Sequence, residues 1–143
     1  MKIRAILERK QSGVVTIDIL STLKAAAELM SRHRIAALVV MENDTPVGLI
    51  SERHIVEVFA HQGKFAEEMR IRQLIERQFI SVSPEDTIKR AMSLMTHMRI
   101  RHLPVMDENE LVGIVSLGDV VKHRLEELEL EANVLRDIYI AAR

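Results

Sequence analysis

The sequence predicts a mixed α/β (α+β) protein. Two pseudo-twofold-related copies of one β-α-β-β-α unit are followed by a long C-terminal helix. Three observations predict it. Val14–Val56 aligns with Phe79–Val121 without a gap at an offset of 65 residues. Within each copy, short apolar runs bounded by turn residues alternate with stretches of helical period. Beyond Val121 an apolar stripe continues at heptad-like spacing.

The repeat organises everything else, because register held over this length marks a duplication. Identical pairs include Thr22/Thr87, Ala26/Ala91, Met30/Met95, Arg34/Arg99, Ile35/Ile100, Leu38/Leu103, Val40/Val105, Gly48/Gly113 and Ser51/Ser116. Each copy opens with a β-rich run, "VVTI" or "FISV". A turn follows, "DILST" or "SPEDT", in which Pro84 fixes the chain direction and Asp86 is a candidate helix cap. The first helix is read from Leu23, Ala26, Ala27 and Met30, and from Ile88, Ala91, Met92 and Met95. The runs "ALVVM" and "HLPVM" read as buried strands. They lead through a loop of four or five residues into "VGLIS" and "VGIVS", completing a hairpin. A second helix begins near Glu52 in one copy and near Leu117 in the other. The organisation expected is 1–62 for the first unit with its N-terminal segment and 63–78 for a linker with a short helix around Met69–Ile75. The second unit takes 79–125 and a helical extension 126–143. One unit alone buries too little surface to stand securely, so two copies packing together are expected.

Composition narrows the function. Twenty basic and twenty-one acidic residues are interspersed, which argues against nucleic-acid binding. There is no cysteine, hence no disulfide framework and no thiolate metal site. Six histidines are scattered with no H-x-x-x-H or H-E-x-x-H spacing, so no metal site is expected. The N-terminal "MKIRAILERKQSG" lacks the apolar core of a secretion signal, and no run approaches a membrane span. The expectation is a cytoplasmic protein without membrane contact. Ser51 and His54 lie three residues apart at a helix start but have no evident oxyanion donors or third partner, so no enzyme is expected.

The block "RHLPVMDENELVGIVSLGDV" and its upstream partner resemble the cystathionine-β-synthase (CBS) domain, and the tandem resembles a Bateman module. Leu103-Pro104-Val105-Met106-Asp107, Gly113-Ile114-Val115-Ser116 and Asp119 match the family pattern closely. The first copy matches more loosely: Val39 replaces the proline and His54 stands where an aspartate is expected. The whole chain looks like the stand-alone two-CBS proteins of bacteria.

The resemblance implies a regulatory fold that binds AMP, ADP or ATP, or else NAD or S-adenosylmethionine, with no catalytic cofactor. It implies two clefts, each taking its Ser-x-x-Asp from one copy and its opposite wall from the other. The first would use Ser116, Gly118 and Asp119, facing Val15, Ile35 and Ala36. An aspartate carboxylate accepts from both ribose hydroxyls, as acidic residues do in dinucleotide folds. Ser116 and the N-terminus of the following helix suit a phosphate, and Gly118 lets backbone approach it. The second cleft would use Ser51 and His54, facing Ile80, Ile100, Arg101 and His102. There the basic pair Arg101–His102 would contact phosphate, while a neutral His54 offers one acceptor in place of two. An alternative reading is a structural dimer module with degenerate clefts.

The tail gives a partner. Val121, Leu125, Leu128, Ala132, Leu135 and Tyr139 step by four and three, and acidic and basic residues fill the other faces. A helix of about 35 Å outruns one small unit, so a homodimer contact is expected; the regulated target is not specified.

Overall fold

The computed structural model describes residues 1–10, 13–75 and 79–142. In chain order the elements are α1 (Ile3–Lys10), β1 (Thr16–Asp18), α2 (Leu23–His33), β2 (Ala37–Glu42), β3 (Thr45–Ser51), α3 (Glu52–Gln62), α4 (Ile88–Met98), β4 (His102–Asp107), β5 (Glu110–Ser116) and α5 (Leu117–Ala141). Contacts divide the chain into Gly13–Ile80 and a second unit made of Met1–Ser12 with Ser81–Arg143.

In the unit Gly13–Ile80, β1 runs parallel to β2, and β2 pairs antiparallel with β3. Thr22 caps α2 by accepting the Ala25 N–H at 3.1 Å. The periodic residues Leu23, Ala26 and Met30 then face Leu38, Val40 and Ile50 in one core. The stretch expected as a linker with a helix around Met69–Ile75 is part of this core. It forms two 3₁₀ turns, Gly63–Glu68 and Ile71–Gln73, not an α-helix. The reason is where its backbone bonds go. Met69 accepts from Leu23, while Ile71 and Arg72 donate to Ser21 and Ile19, which holds the chain extended between the two turns.

The second unit repeats the plan with two differences. Its opening run "FISV" forms no strand; Val82 alone bridges in parallel to Val105. In the first unit the Val39 N–H reaches the Val15 carbonyl at 3.4 Å. Pro104 occupies the matching position and has no N–H to give, so the ladder loses that rung. The other difference is α1, which was not anticipated. Lys2 bridges to Thr87, and Ile3 and Arg4 donate to the Asp86 and Pro84 carbonyls, so the N-terminal segment groups with the second copy instead of the first. The sequence held a signal for this. "MKIRAILERK" repeats as "MRIRQLIERQ" at an offset of 68; Ile3 and Arg4 bond to the second copy, and Met69, Ile71 and Arg72 bond to the first, so each segment's described residues dock on the copy it does not precede. A Cβ on Gly113 would lie 2.4 Å from the Leu7 Cδ2, so the bare glycine backbone of β5 seats α1.

Two local expectations need correction. Asp86 does not cap α4; Thr87 does, accepting the Arg90 N–H at 3.0 Å, and Asp86 accepts from Ser83 within the turn. The hairpin loops have two residues each, because the strands run on to Glu42/Thr45 and Asp107/Glu110. Asn43–Asp44 and Glu108–Asn109 all have positive φ, the type I′ geometry whose twist matches the flanking strands. Asn and Asp tolerate that region; Glu108 bears strain there.

Both first helices end on an arginine in left-handed conformation, Arg34 and Arg99, each with φ 54°. Ile35 and Ile100 then donate back to Met30 and Met95, a Schellman closure. Glycine adopts that φ without a Cβ clash. Arg99→Gly should therefore stabilise the protein by about 0.5–1 kcal/mol. A raised urea midpoint with unchanged slope is the expected reading, and a lowered midpoint contradicts it.

Candidate functional site

The site is built where β5 becomes α5. Ser116 ends the strand and caps the helix: its Oγ accepts the Asp119 N–H at 3.1 Å, and Asp119 Oδ2 accepts the Ser116 N–H at 2.9 Å. This reciprocal capping box holds the carboxylate against the helix N-terminus. The Leu117 N–H donates to the Arg101 carbonyl at 2.8 Å, and His102 pairs across the ladder with Ser116. Ile100, Arg101 and His102 thus share one end of the hairpin with Ser116, Gly118 and Asp119. Arg101 and Gly118 are exposed there, and Asp119 is half-buried. A Cβ on Gly118 would meet only the Ser116 Oγ at 3.7 Å, so the fold itself does not require a glycine at this position.

Lys10 completes the arrangement, and sequence reasoning missed it. From the last turn of α1 its Nζ donates to Asp119 Oδ2 at 2.9 Å and to the Ile114 carbonyl at 3.0 Å. Among the described residues Asp119 Oδ1 has no partner. Burial pushes the Asp119 carboxyl up, but the Ser116 N–H and the Lys10 ammonium outweigh it and hold it below the ordinary carboxylate value. The only sequence signal was an asymmetry: in the segments repeated at the offset of 68, position 10 is lysine and its counterpart is glutamine.

His123, four residues after Asp119 on α5, is 4% exposed. Its Nδ1 lies 2.9 Å from the Asp119 carbonyl, one turn back, and therefore donates; Nε2 is buried without a hydrogen bond among the described residues. Lys122, beside it on α5, is exposed.

The unit Gly13–Ile80 holds the matching end. Ser51 caps α3, the Ser51 N–H donates to His54 Nδ1 at 3.2 Å, and the Glu52 N–H donates to the Ala36 carbonyl. His54 takes over the aspartate's structural role in the cap. Nδ1 must be unprotonated to do so, and the single acceptor of the neutral ring is thereby occupied. Val15, Ile35 and Ala36 are half-buried in this unit, as is Ile80 at its C-terminal end. The residues expected to form each cleft divide between the two units, except that Ile80, expected with Ile100, Arg101 and His102, groups with Ser51 and His54.

Two spans, residues 5–61 and 71–126, match the family model of the CBS domain. This chain belongs to the CBS-domain family. Both matched spans begin inside the segments that the offset of 68 relates, so the repeat is longer than the alignment at offset 65 alone. The chain is 36% identical over 123 residues to the CBS domain-containing protein CBSX3, mitochondrial, of Arabidopsis thaliana, covering 79% of this chain. It spans only 60% of that relative's length. Among solved structures, the CBS-domain protein ATU1752 of Agrobacterium tumefaciens superposes with a TM-score of 0.83 at 31% identity. The match covers 87% of this chain and 99% of that one, a stand-alone CBS pair. The CBS pair of MJ0100, solved with 5′-methylthioadenosine and S-adenosyl-L-methionine, has a TM-score of 0.77 at 20% identity over 89% of this chain and 98% of that one. It shares the fold. CBS pairs are in general regulatory modules.

Proposed function

We propose that this CBS pair is a regulatory protein that senses an adenosyl ligand (AMP, ADP or ATP, with NAD or S-adenosylmethionine as further members of the class) and has no catalytic activity of its own. The observation that carries this reading is the Asp119 carboxylate, kept ionised at the start of α5 with Oδ1 unoccupied among the described residues. Oδ1 accepts one ribose hydroxyl. The second hydroxyl competes with Lys10 for Oδ2, so Lys10 holds the carboxylate in the empty protein and yields to ligand. Released, its ammonium is free for a phosphate. Val15, Ile35 and Ala36, half-buried in the unit Gly13–Ile80, are small apolar surface of the kind that suits adenine. In the second unit Arg101 and His102, beside Ile100, are the phosphate-preferring groups; in the unit Gly13–Ile80, Ser51 and His54 offer weakened ribose recognition. The MJ0100 pair supports an adenosyl ligand as a property of the fold class only.

The output runs through α5, which is one continuous helix of 25 residues from the cap at Ser116 to Ala141. Ligand at Asp119 and a partner on the tail act on one element, and the ligand shifts the protein by its different affinity for two states. The protein acts as a homodimer through this helix. A structural module without ligand response is the second reading, favoured by His54 in its cap. Thermal-shift measurements with each nucleotide at millimolar concentration separate the two. Binding only to the folded state at 100 times Kd adds about 2.7 kcal/mol of stability. A melting temperature unmoved by every adenosyl compound selects the structural module.

A further inference from the structure

We propose that α5 pairs with the α5 of a second copy as a parallel, in-register two-stranded coil running from Val121 to Tyr139. This rests on the homodimer reading above and adds its geometry. The first observation is exposure. Val121, Leu125, Leu128 and Leu135 are 38%, 56%, 44% and 66% exposed, so the aliphatic positions of the stripe are left largely uncovered. A single apolar side chain at the surface is ordinary; a continuous seam of this length on one helix face is not.

The second observation is period. Positions 121, 125, 128, 132, 135 and 139 alternate steps of four and three, the spacing that keeps a seam facing a partner in a left-handed coil. Val121, Leu128 and Leu135 take the d positions; Leu125, Ala132 and Tyr139 take the a positions. A competing stripe through Leu130, Val134 and Ile138 is broken by Glu127, Glu131 and Asp137.

Charge chooses the partner and the direction. Arg124 and Glu131 flank the seam at g positions, and Lys122, Glu129 and Arg136 flank it at e positions. In a parallel pair each g residue meets the e residue five places on in the other copy. Arg124 then meets Glu129 and Glu131 meets Arg136, both of opposite sign and each made twice by symmetry. Arg124 also holds its own Glu127 at 2.9 Å, so the Glu131–Arg136 pair is the cleaner one. In an antiparallel pair e meets e and g meets g. The register that sets Ala132 on Leu128 places Glu129 on Glu129, Glu131 on Glu131 and Lys122 on Arg136, all repulsive. Shifting to Ala132 on Leu135 leaves one favourable pair, Glu129 with Arg136, and strands Val121. A second copy in parallel register is the occupant that satisfies both apolar and charged positions.

The chain has no cysteine, so a single introduced thiol reports the geometry in the full-length protein. Leu135→Cys and, independently, Leu128→Cys at d positions should form a disulfide-linked dimer nearly completely under mild oxidation. Asp137→Cys on the outer face should not. Both leucines are exposed, so their loss leaves the fold intact. Glu131→Arg should weaken dimerisation roughly 3- to 10-fold, and Glu131→Arg with Arg136→Glu should restore it. No disulfide at either d position while light scattering still finds a dimer overturns the parallel arrangement but spares the homodimer. A monomer at every concentration overturns both. A tetramer, drawing on Leu130, Val134 and Ile140, overturns the two-stranded form.

Discussion

Leu103→Ala should destabilise the protein by about 2–5 kcal/mol, and Leu38→Ala by a similar amount. The two leucines occupy the same position of the repeat, on β4 and β2, and neither has any exposed surface. Each substitution removes three side-chain carbons from the middle of a strand and leaves a void that aliphatic neighbours only partly close. The interior is close-packed, so the neighbours relax only partly into the gap. Domains of this size have roughly 5–15 kcal/mol in total, so either change takes away a large part of it. Leu130→Ala, at 62% exposure, is the control and should stay within about 0.5 kcal/mol. Urea unfolding measures all three. Losses below 1 kcal/mol at Leu38 or Leu103 would contradict the assignment of these strands to the cores.

Arg101→Ala should lower ATP affinity about 10- to 100-fold while leaving adenosine affinity unchanged. A charge-assisted, bidentate contact between guanidinium and phosphate is worth about 1.5–3 kcal/mol, and adenosine carries no phosphate to lose it. The substitution is clean because the structural work at this position is done by the backbone. The Arg101 carbonyl accepts the Leu117 N–H, and alanine keeps that bond. The side chain itself is exposed. The cost should grow from adenosine through AMP to ATP as charge accumulates. Calorimetric titration with the three ligands gives the series, and equal losses for adenosine and ATP remove the phosphate role from Arg101.

Most of the fold was legible because it was written twice. Leu23, Ala26 and Met30, with their counterparts Ile88, Ala91 and Met95, show helical period, and both sets are buried where the period places them. The strands Ala37–Glu42 and His102–Asp107 likewise follow from apolar runs between turn residues. What escaped were features fixed by distant partners. α1 has eight residues and only Ile3 and Ile6 buried, too little for a periodic signal, and its place is set by Asp86, Pro84 and Gly113 about eighty or more residues away. The hairpin turns escaped because Asn-Asp and Glu-Asn lack the glycine that usually marks type I′ geometry. The weakening of the second opening strand was written in Pro104, which the family pattern made look ordinary.

The candidate site was legible in the same uneven way. The Ser-x-x-Asp spacing identified Ser116 and Asp119 because a capping box is local, three residues apart. The same spacing exposed His54 as a departure, and its part in the cap explains how the first copy tolerates the change. Lys10 could not be read this way, since its ion pair spans 109 residues and exists only once α1 has docked.

Calorimetric titration of adenosine into the wild type and Asp119→Asn is the direct test of Asp119 as the proposed ribose anchor. Asparagine at this position still offers an oxygen to the Ser116 N–H, so the cap persists and the unliganded stability should move by no more than about 1 kcal/mol. It has no second carboxylate oxygen for a ribose hydroxyl. Adenosine should bind the wild type, and the asparagine variant should bind it at least about tenfold more weakly, the loss of one charge-assisted hydrogen bond. Equal adenosine affinity in the two proteins would contradict that role.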